Sequence, residues 1–195
     1  MNLSIYKNEI IGLFGKIGSG KSTLACLIKG LLKPSEGKIK FAGRKDSGKN
    51  FCKVGVVFQN SENQLFEENV LKDVMFGPKN LGFNENDAKI KAIASLKDVG
   101  FDQEKIYESP FELSGGEKKL VAIAGILAME PEILIFDEPT AGLDIFAKYV
   151  FLKLLFNLHQ EKNNTIIFIS HSYQDIELIA NRILTIENKK IIEIA

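Results

Sequence analysis

The chain alternates between short, nearly unbroken apolar runs and longer stretches with helical spacing. The apolar runs are Glu9–Phe14 (EIIGLF), Val54–Phe58 (VGVVF), Ile133–Asp137 (ILIFD), Thr165–Ser170 (TIIFIS) and Arg182–Ile186 (RILTI). Runs this short, without in-and-out alternation, predict strands covered on both faces, as in a parallel sheet. Helical spacing follows the first run at Lys21–Leu31, precedes ILIFD at Ser114–Met129 and follows it at Asp144–Lys162. Strands separated by helices predict an α/β fold: a mainly parallel sheet, flanked by helices and joined by right-handed crossovers. Gly37–Phe41 (GKIKF) and Lys190–Ile194 (KIIEI) alternate instead, and predict half-exposed strands.

From about Asn60 to Phe111 the alternation breaks. This stretch is rich in Asn, Asp, Glu and Lys, with helical periodicity over Asn84–Val99. It predicts an inserted helical subdomain, 60–113, within a single domain spanning 1–195, and 195 residues suit one domain of ordinary size. No internal repeat, low-complexity tract or Pro/Ser-rich linker divides the chain.

Composition narrows the class. At 45% hydrophobic and 26% charged residues, both a sizeable core and a soluble surface are available. Lys plus Arg equals Asp plus Glu at 25 each, so no global field draws nucleic acid or an anionic membrane, and no nucleic-acid partner is expected. Cys26 and Cys52 lie far apart with no CxxC spacing. That predicts neither a disulfide framework nor a zinc site, and fits reduced thiols inside a cell. The N-terminus shows no basic segment followed by an apolar stretch, so no signal peptide is expected. No apolar run approaches the roughly 18 residues that cross a bilayer. Work at a membrane would require another chain to hold this one there.

Gly15-Lys16-Ile17-Gly18-Ser19-Gly20-Lys21-Ser22 follows a predicted strand, opens a predicted helix and matches GxxxxGK[ST]. Its glycines let successive backbone N–H groups wrap an anion, and the helix N-terminus adds a positive dipole end. Lys21 supplies a point charge for the outer phosphates, and the Ser22 hydroxyl can ligate Mg²⁺. In that context the reading is a P-loop NTPase rather than a glycine-rich turn. ILIFDEP ends a strand on Asp137 and Glu138. Asp137 is placed for the Mg²⁺ shell, and Glu138 to orient or deprotonate the attacking water. His171 follows the strand TIIFIS, and in a doubly wound sheet ligands sit at the carboxyl ends of strands. It is read as a contact for the γ-phosphate or the water. His159, in the polar segment LHQEKNN, is read as a solvated residue with no role.

One stretch remains. LSGGEKK, residues 113–119, places two glycines where a helix should begin, although glycine costs helix stability. It can be a plain cap and turn, or a second backbone surface left bare for an anion. The loop at Lys21 already cradles one nucleotide, so a second such end predicts use by a nucleotide on another subunit. That implies two chains, head to tail, with two nucleotides between them.

The order GKIGSGKS, Gln59, LSGGE, ILIFDEPTAGLD, SHS resembles the ATP-binding subunits of ABC transporters over nearly the whole chain. VFQNSENQLFEENVLKDVMFGPKNLGF and SPFELSGGEKKLVAIAGILAMEPEILIFDEPTAGLD more narrowly resemble the ATPase subunits of energy-coupling factor importers. Those importers take up vitamins or transition-metal ions such as cobalt and nickel. The resemblance implies ATP and Mg²⁺ as ligands, with Gly15 to Thr23 as the phosphate loop, Gln59 touching Mg²⁺ and the attacking water, and Ser22 and Asp137 on the metal. It implies that Ser114, Gly115, Gly116 and Glu117 close on the opposite nucleotide, Asp144 lies at the dimer seam, Glu138 is the base and His171 the switch histidine. It also implies a membrane-embedded partner seated on the groove formed in part by Asn60–Gly82, a homodimer or heterodimer, and a place on the cytoplasmic face of the membrane.

The chain departs from that family pattern in three ways. An N-terminal strand with an adenine-stacking aromatic is not apparent, and Tyr6 is misplaced for that task. The C-terminal extension common in energy-coupling ATPases is not seen before Ala195. Leu120 stands where Arg is usual, and Glu117 where Gln is frequent. Two other readings are a soluble ABC-type ATPase acting on nucleic acid or ribosomes, and a non-catalytic partner in a heterodimer. The lack of tandem cassettes and the zero net charge oppose the first. Intact Glu138 and His171 oppose the second.

Overall fold

Gly12 sets the tightest packing in the sheet: a Cβ there would lie 2.1 Å from Ile176 Cγ2. It sits in the first strand of a computed structural model that describes residues 2–16, 18–41, 53–187 and 190–194. The elements run β1 (Ile10–Phe14), α1 (Lys21–Lys29), β2 (Val54–Val57), α2 (Val70–Asn80), α3 (Glu85–Asp98) and α4 (Gly115–Leu127). They continue with β3 (Ile133–Asp137), α5 (Ile145–Lys162), β4 (Thr165–Ser170), α6 (Tyr173–Glu177), β5 (Arg182–Glu187) and β6 (Lys190–Glu193). Ile17 and Cys52 lie outside the described residues.

The five apolar runs form the parallel part of a six-stranded sheet in the order β2-β3-β4-β1-β5-β6, with β6 antiparallel on the edge. Their side chains are buried because both faces are covered: Ile10, Ile11, Leu13, Ile135, Phe136, Ile166 and Phe168 are among the most buried residues. The ladder register aligns the strand ends. Phe14 pairs with Ser170, Asp137 with Ile169, and Val57 with Phe136. β2, β3, β4 and β1 are consecutive neighbours, so their carboxyl ends form one row.

The described residues divide into two compact units, Met1–Gln59 with Glu132–Ala195, and Asn60–Pro131. In the second, α2, α3 and α4 pack on one another. Asn69 caps α2 by accepting from the Lys72 amide, and Asn84 caps α3 by accepting from the Asp87 amide. These side-chain acceptors satisfy donors that a helix start leaves unpaired.

Three expectations change. Helix α1 stops at Lys29, because Gly30 takes a left-handed conformation with φ 86° and its N–H bonds back to Cys26 and Leu27, so Leu31 lies beyond the helix. Residues 37–41 form no strand. Alternation marks a surface that could pair, but a strand exists only where a neighbour supplies the ladder, as β5 does for β6. His159 is half-buried rather than solvated, and its Nδ1 lies 3.1 Å from the Asn164 carbonyl just past the end of α5.

Gly12→Ala should destabilise the fold by about 1–3 kcal/mol, because the new methyl must displace Ile176 on α6. Urea unfolding checks this, and an unchanged midpoint would show that α6 moves away at no cost.

Candidate active site

Residues 15–16 and 18–23 lead from β1 into α1 through a loop that glycine makes possible. Gly18 and Gly20 have φ of 81° and 102°, conformations that L side chains rarely adopt. Gly20 caps α1 with no side chain in the way, so the amides of the first helical turn carry the positive end of the helix dipole. Lys21 is buried, and its Nζ donates to the carbonyls of Gly15 at 2.7 Å and Lys16 at 3.0 Å. The ammonium is thereby held back across its own loop. Ser22 and Thr23 are exposed at the start of the helix.

The neighbouring strand ends bring the carboxylates to the same edge. Asp137 closes β3 and is buried, and its Oδ1 has no hydrogen-bond partner among the described residues. The Ser19 hydroxyl is in the same condition. A buried carboxylate oxygen without a partner is costly unless something cationic completes it, which is the donor chemistry of a hard divalent ion. No group of three or more His, Cys, Asp or Glu side chains suited to a metal occurs among the described residues. A metal here would therefore be held by few protein ligands together with phosphate oxygens, as Mg²⁺ commonly is.

Glu138 follows in a left-handed conformation, φ 52°, that is strained for a residue with a Cβ. Its N–H donates to the Ile169 carbonyl of β4 at 2.9 Å, and its carbonyl accepts from Ala141 N at 3.2 Å. Glu138 thus leaves the strand geometry of Asp137 at the first residue past β3. The Glu138 carboxylate accepts from His171 Nδ1 at 2.7 Å. Against an ionised carboxylate this contact requires the tautomer with its proton on Nδ1, which leaves Nε2 facing away from Glu138. Gln59 follows the end of β2 and is exposed. The phosphate loop, Gln59, Asp137, Glu138 and His171 thus share the carboxyl edge of four adjacent strands.

Ser114 to Glu117 lie in the other compact unit, at the start of α4. Ser114 accepts from the Glu117 amide, and Glu117 Oε2 accepts the Ser114 N–H at 2.9 Å and its hydroxyl at 2.7 Å, a complete capping box. A Cβ added to Gly115 or Gly116 would meet nothing within 4 Å. Internal packing therefore does not require either glycine. Glu117 Oε1 also accepts from Lys105 Nζ at 2.6 Å. Hydrogen bonds from Lys105 first, then Ser114, hold the Glu117 carboxyl down at about 2, against an ordinary 4.5.

Residues 1–141 match the ABC transporter family. The energy-coupling factor transporter ATP-binding protein EcfA2 of Caldanaerobacter subterraneus is 48% identical over 98% of this chain and 69% of its own length. That of Bacillus subtilis is 46% identical over 94% of the chain and 70% of its own. Among solved structures, CbiO1 from Clostridium perfringens, part of the ABC transporter complex CbiONQ, superposes with a TM-score of 0.88 at 36% identity. It covers 98% of this chain and 78% of that protein. An ATP-binding cassette solved as a dimer in a post-hydrolysis state with ADP and phosphate gives 0.81 at 28% identity, over 100% of this chain and 89% of that one. The chain is an ABC transporter ATPase of the energy-coupling factor branch. Its P-loop NTPase fold and its class of activity follow from that membership.

Within this ABC ATPase, one cluster beside the site was not legible from motifs. Asp175 is buried, and its Oδ2 accepts from Thr140 Oγ1 at 2.8 Å while Oδ1 accepts from Lys148 Nζ at 3.0 Å. Thr140 and Lys148 flank Asp144, which caps α5 by accepting from the Ala147 amide at 2.8 Å. Asp175 lies in the first turn of α6, just past His171. One carboxylate therefore ties the loop carrying Asp144 to the loop carrying His171. The partners are 27 and 35 residues away in sequence, so no local spacing announces them.

Asp175→Ala should cost about 1–3 kcal/mol of stability by stripping a buried acceptor from two donors, measured by urea unfolding. Glu117 provides a pH test. Its pKa falls on folding, so its contribution is complete above about 4.5 and is lost as pH drops toward about 2. Amide exchange in the first turn of α4 should accelerate relative to the sheet across that window, and Glu117→Gln should abolish the difference.

Proposed function

We propose that this chain is the ATP-hydrolysing motor of an energy-coupling factor importer, working as a head-to-tail dimer on the cytoplasmic face of the membrane. The observation that carries this is Glu138. A left-handed turn and the Ile169 carbonyl hold its backbone directly after Asp137, and His171 meets its carboxylate, on the same sheet edge as the phosphate loop.

In this reading residues 1–195 act as one ATPase domain, with 60–113 as its helical insert. Gly15 to Thr23 cradle the phosphates, and Lys21 exchanges its loop carbonyls for the outer phosphate oxygens. Ser22, Gln59 and Asp137 hold Mg²⁺, an assignment that the unpartnered Asp137 oxygen suits. The bound ion offsets the charge of the phosphate oxygens. Glu138 takes a proton from the water as its oxygen bonds to the γ-phosphorus. The bond to the bridging oxygen breaks, and ADP leaves with the electron pair. His171 holds Glu138 and reaches the γ-phosphate. Ser114, Gly115 and Gly116 serve the nucleotide on the opposite chain, which gives their open backbone a purpose.

The names of the relatives favour a membrane-embedded partner. No helix among the described residues is long and apolar enough to cross a membrane. Phe66 and Phe76, both exposed, stack edge to face at 4.8 Å in the helical unit and offer an aromatic surface for that partner. The cargo would be a vitamin or a transition-metal ion, chosen by a separate membrane protein.

Glu138→Gln should lower ATP turnover at least about 100-fold. It should also convert a monomer into a dimer when Mg-ATP is added, read as mass by light scattering. Full turnover in the variant would remove Glu138 from the mechanism.

A further inference from the structure

Glu117 is an acid at a place meant for an anion. Its Oε2 lies 2.7 Å from the Ser114 hydroxyl and holds that hydroxyl's proton. A phosphate received by Ser114 would meet a full negative charge one hydrogen bond away, because Glu117 stays ionised down to about pH 2. It would also compete with that carboxylate for the proton. Both effects oppose docking.

Lys105 answers both. It ends a 3-10 turn at Gln103–Lys105 and donates from Nζ to Glu117 Oε1 at 2.6 Å, the oxygen that Ser114 does not use. Its own pKa is raised by that bond, with weaker help from Glu108 and Asp102, so the ammonium stays charged. Lys105 is thus hydrogen-bonded to the Glu117 carboxylate.

We infer that Lys105 is a positioning residue of the shared site: paired with Glu117, it neutralises the carboxylate beside the docking point and loosens its hold on the Ser114 hydroxyl. This rests on the head-to-tail dimer proposed above. Glu117 then keeps its capping role for α4 without repelling the nucleotide. Lys105 touches no substrate and acts through Glu117 and Ser114.

The test is ATP-driven dimerisation of full-length chains carrying Glu138→Gln, followed by analytical ultracentrifugation with Mg-ATP. Adding Lys105→Met should weaken dimerisation about ten-fold or more, the usual size of coupling between neighbouring charges. Lys105→Arg should preserve it. Adding Glu117→Gln to Lys105→Met should restore it, which loss of a merely structural contact would not allow. A fluorescent ATP analogue reports nucleotide binding by each chain separately, and thermal melting reports folding. Dimerisation of Lys105→Met at undiminished affinity, or no rescue by Glu117→Gln in a folded, nucleotide-binding chain, would overturn the inference and leave the shared-site reading intact. If the Glu138→Gln reference binds nucleotide and stays monomeric, the shared-site reading falls and takes the inference with it.

Discussion

The row of strand ends is the constraint on which the site depends. Phe14 levels with Ser170 and Asp137 with Ile169 in the parallel ladders between β1, β4 and β3. Asp137 ends one strand of that row, and several other groups begin one or two residues past it. Gly15 follows Phe14, Glu138 follows Asp137, His171 follows Ser170, and Gln59 is two residues past the end of β2. A slip of one residue in β3 that drew Glu138 into the place of Asp137 would carry Asp137 deeper into the strand and onto the opposite face of the sheet. The bond from Glu138 N–H to the Ile169 carbonyl pins the last step, and the strain at Glu138 persists because the ladder beneath it holds.

Much of this was legible because buried parallel strands and phosphate loops write themselves locally. ILIFD and TIIFIS become β3 and β4 at their predicted bounds, and the caps at Ser114, Asp144 and Asn84 fall where polar residues precede apolar-periodic runs. What was not legible depends on partners distant in sequence. GKIKF alternates like a strand but does not form one, whereas KIIEI does so beside β5. α6 is five residues long, too short to leave a period, and Ile176 packs it against Gly12. Asp175, Thr140 and Lys148 meet only in three dimensions, as do Lys105 and Glu117.

The start of α4 shows how competing demands are reconciled within a few residues. Two glycines open the helix where alanine would favour it more, yet no neighbour crowds them. A capping box offsets part of that loss by satisfying orphan amides at both Ser114 and Glu117. Gln could also close the box, without bringing a charge. Glu binds the amide more strongly, because hydrogen bonds to ionised acceptors are the stronger kind. In the head-to-tail dimer proposed above, its drawback would be a charge that the approaching phosphate must face. A lysine twelve residues upstream removes that drawback, and it does so without entering the bare backbone surface at Gly115 and Gly116. The acidic residue that reads in sequence as a weakness of the signature is, in the folded chain, half of an ion pair.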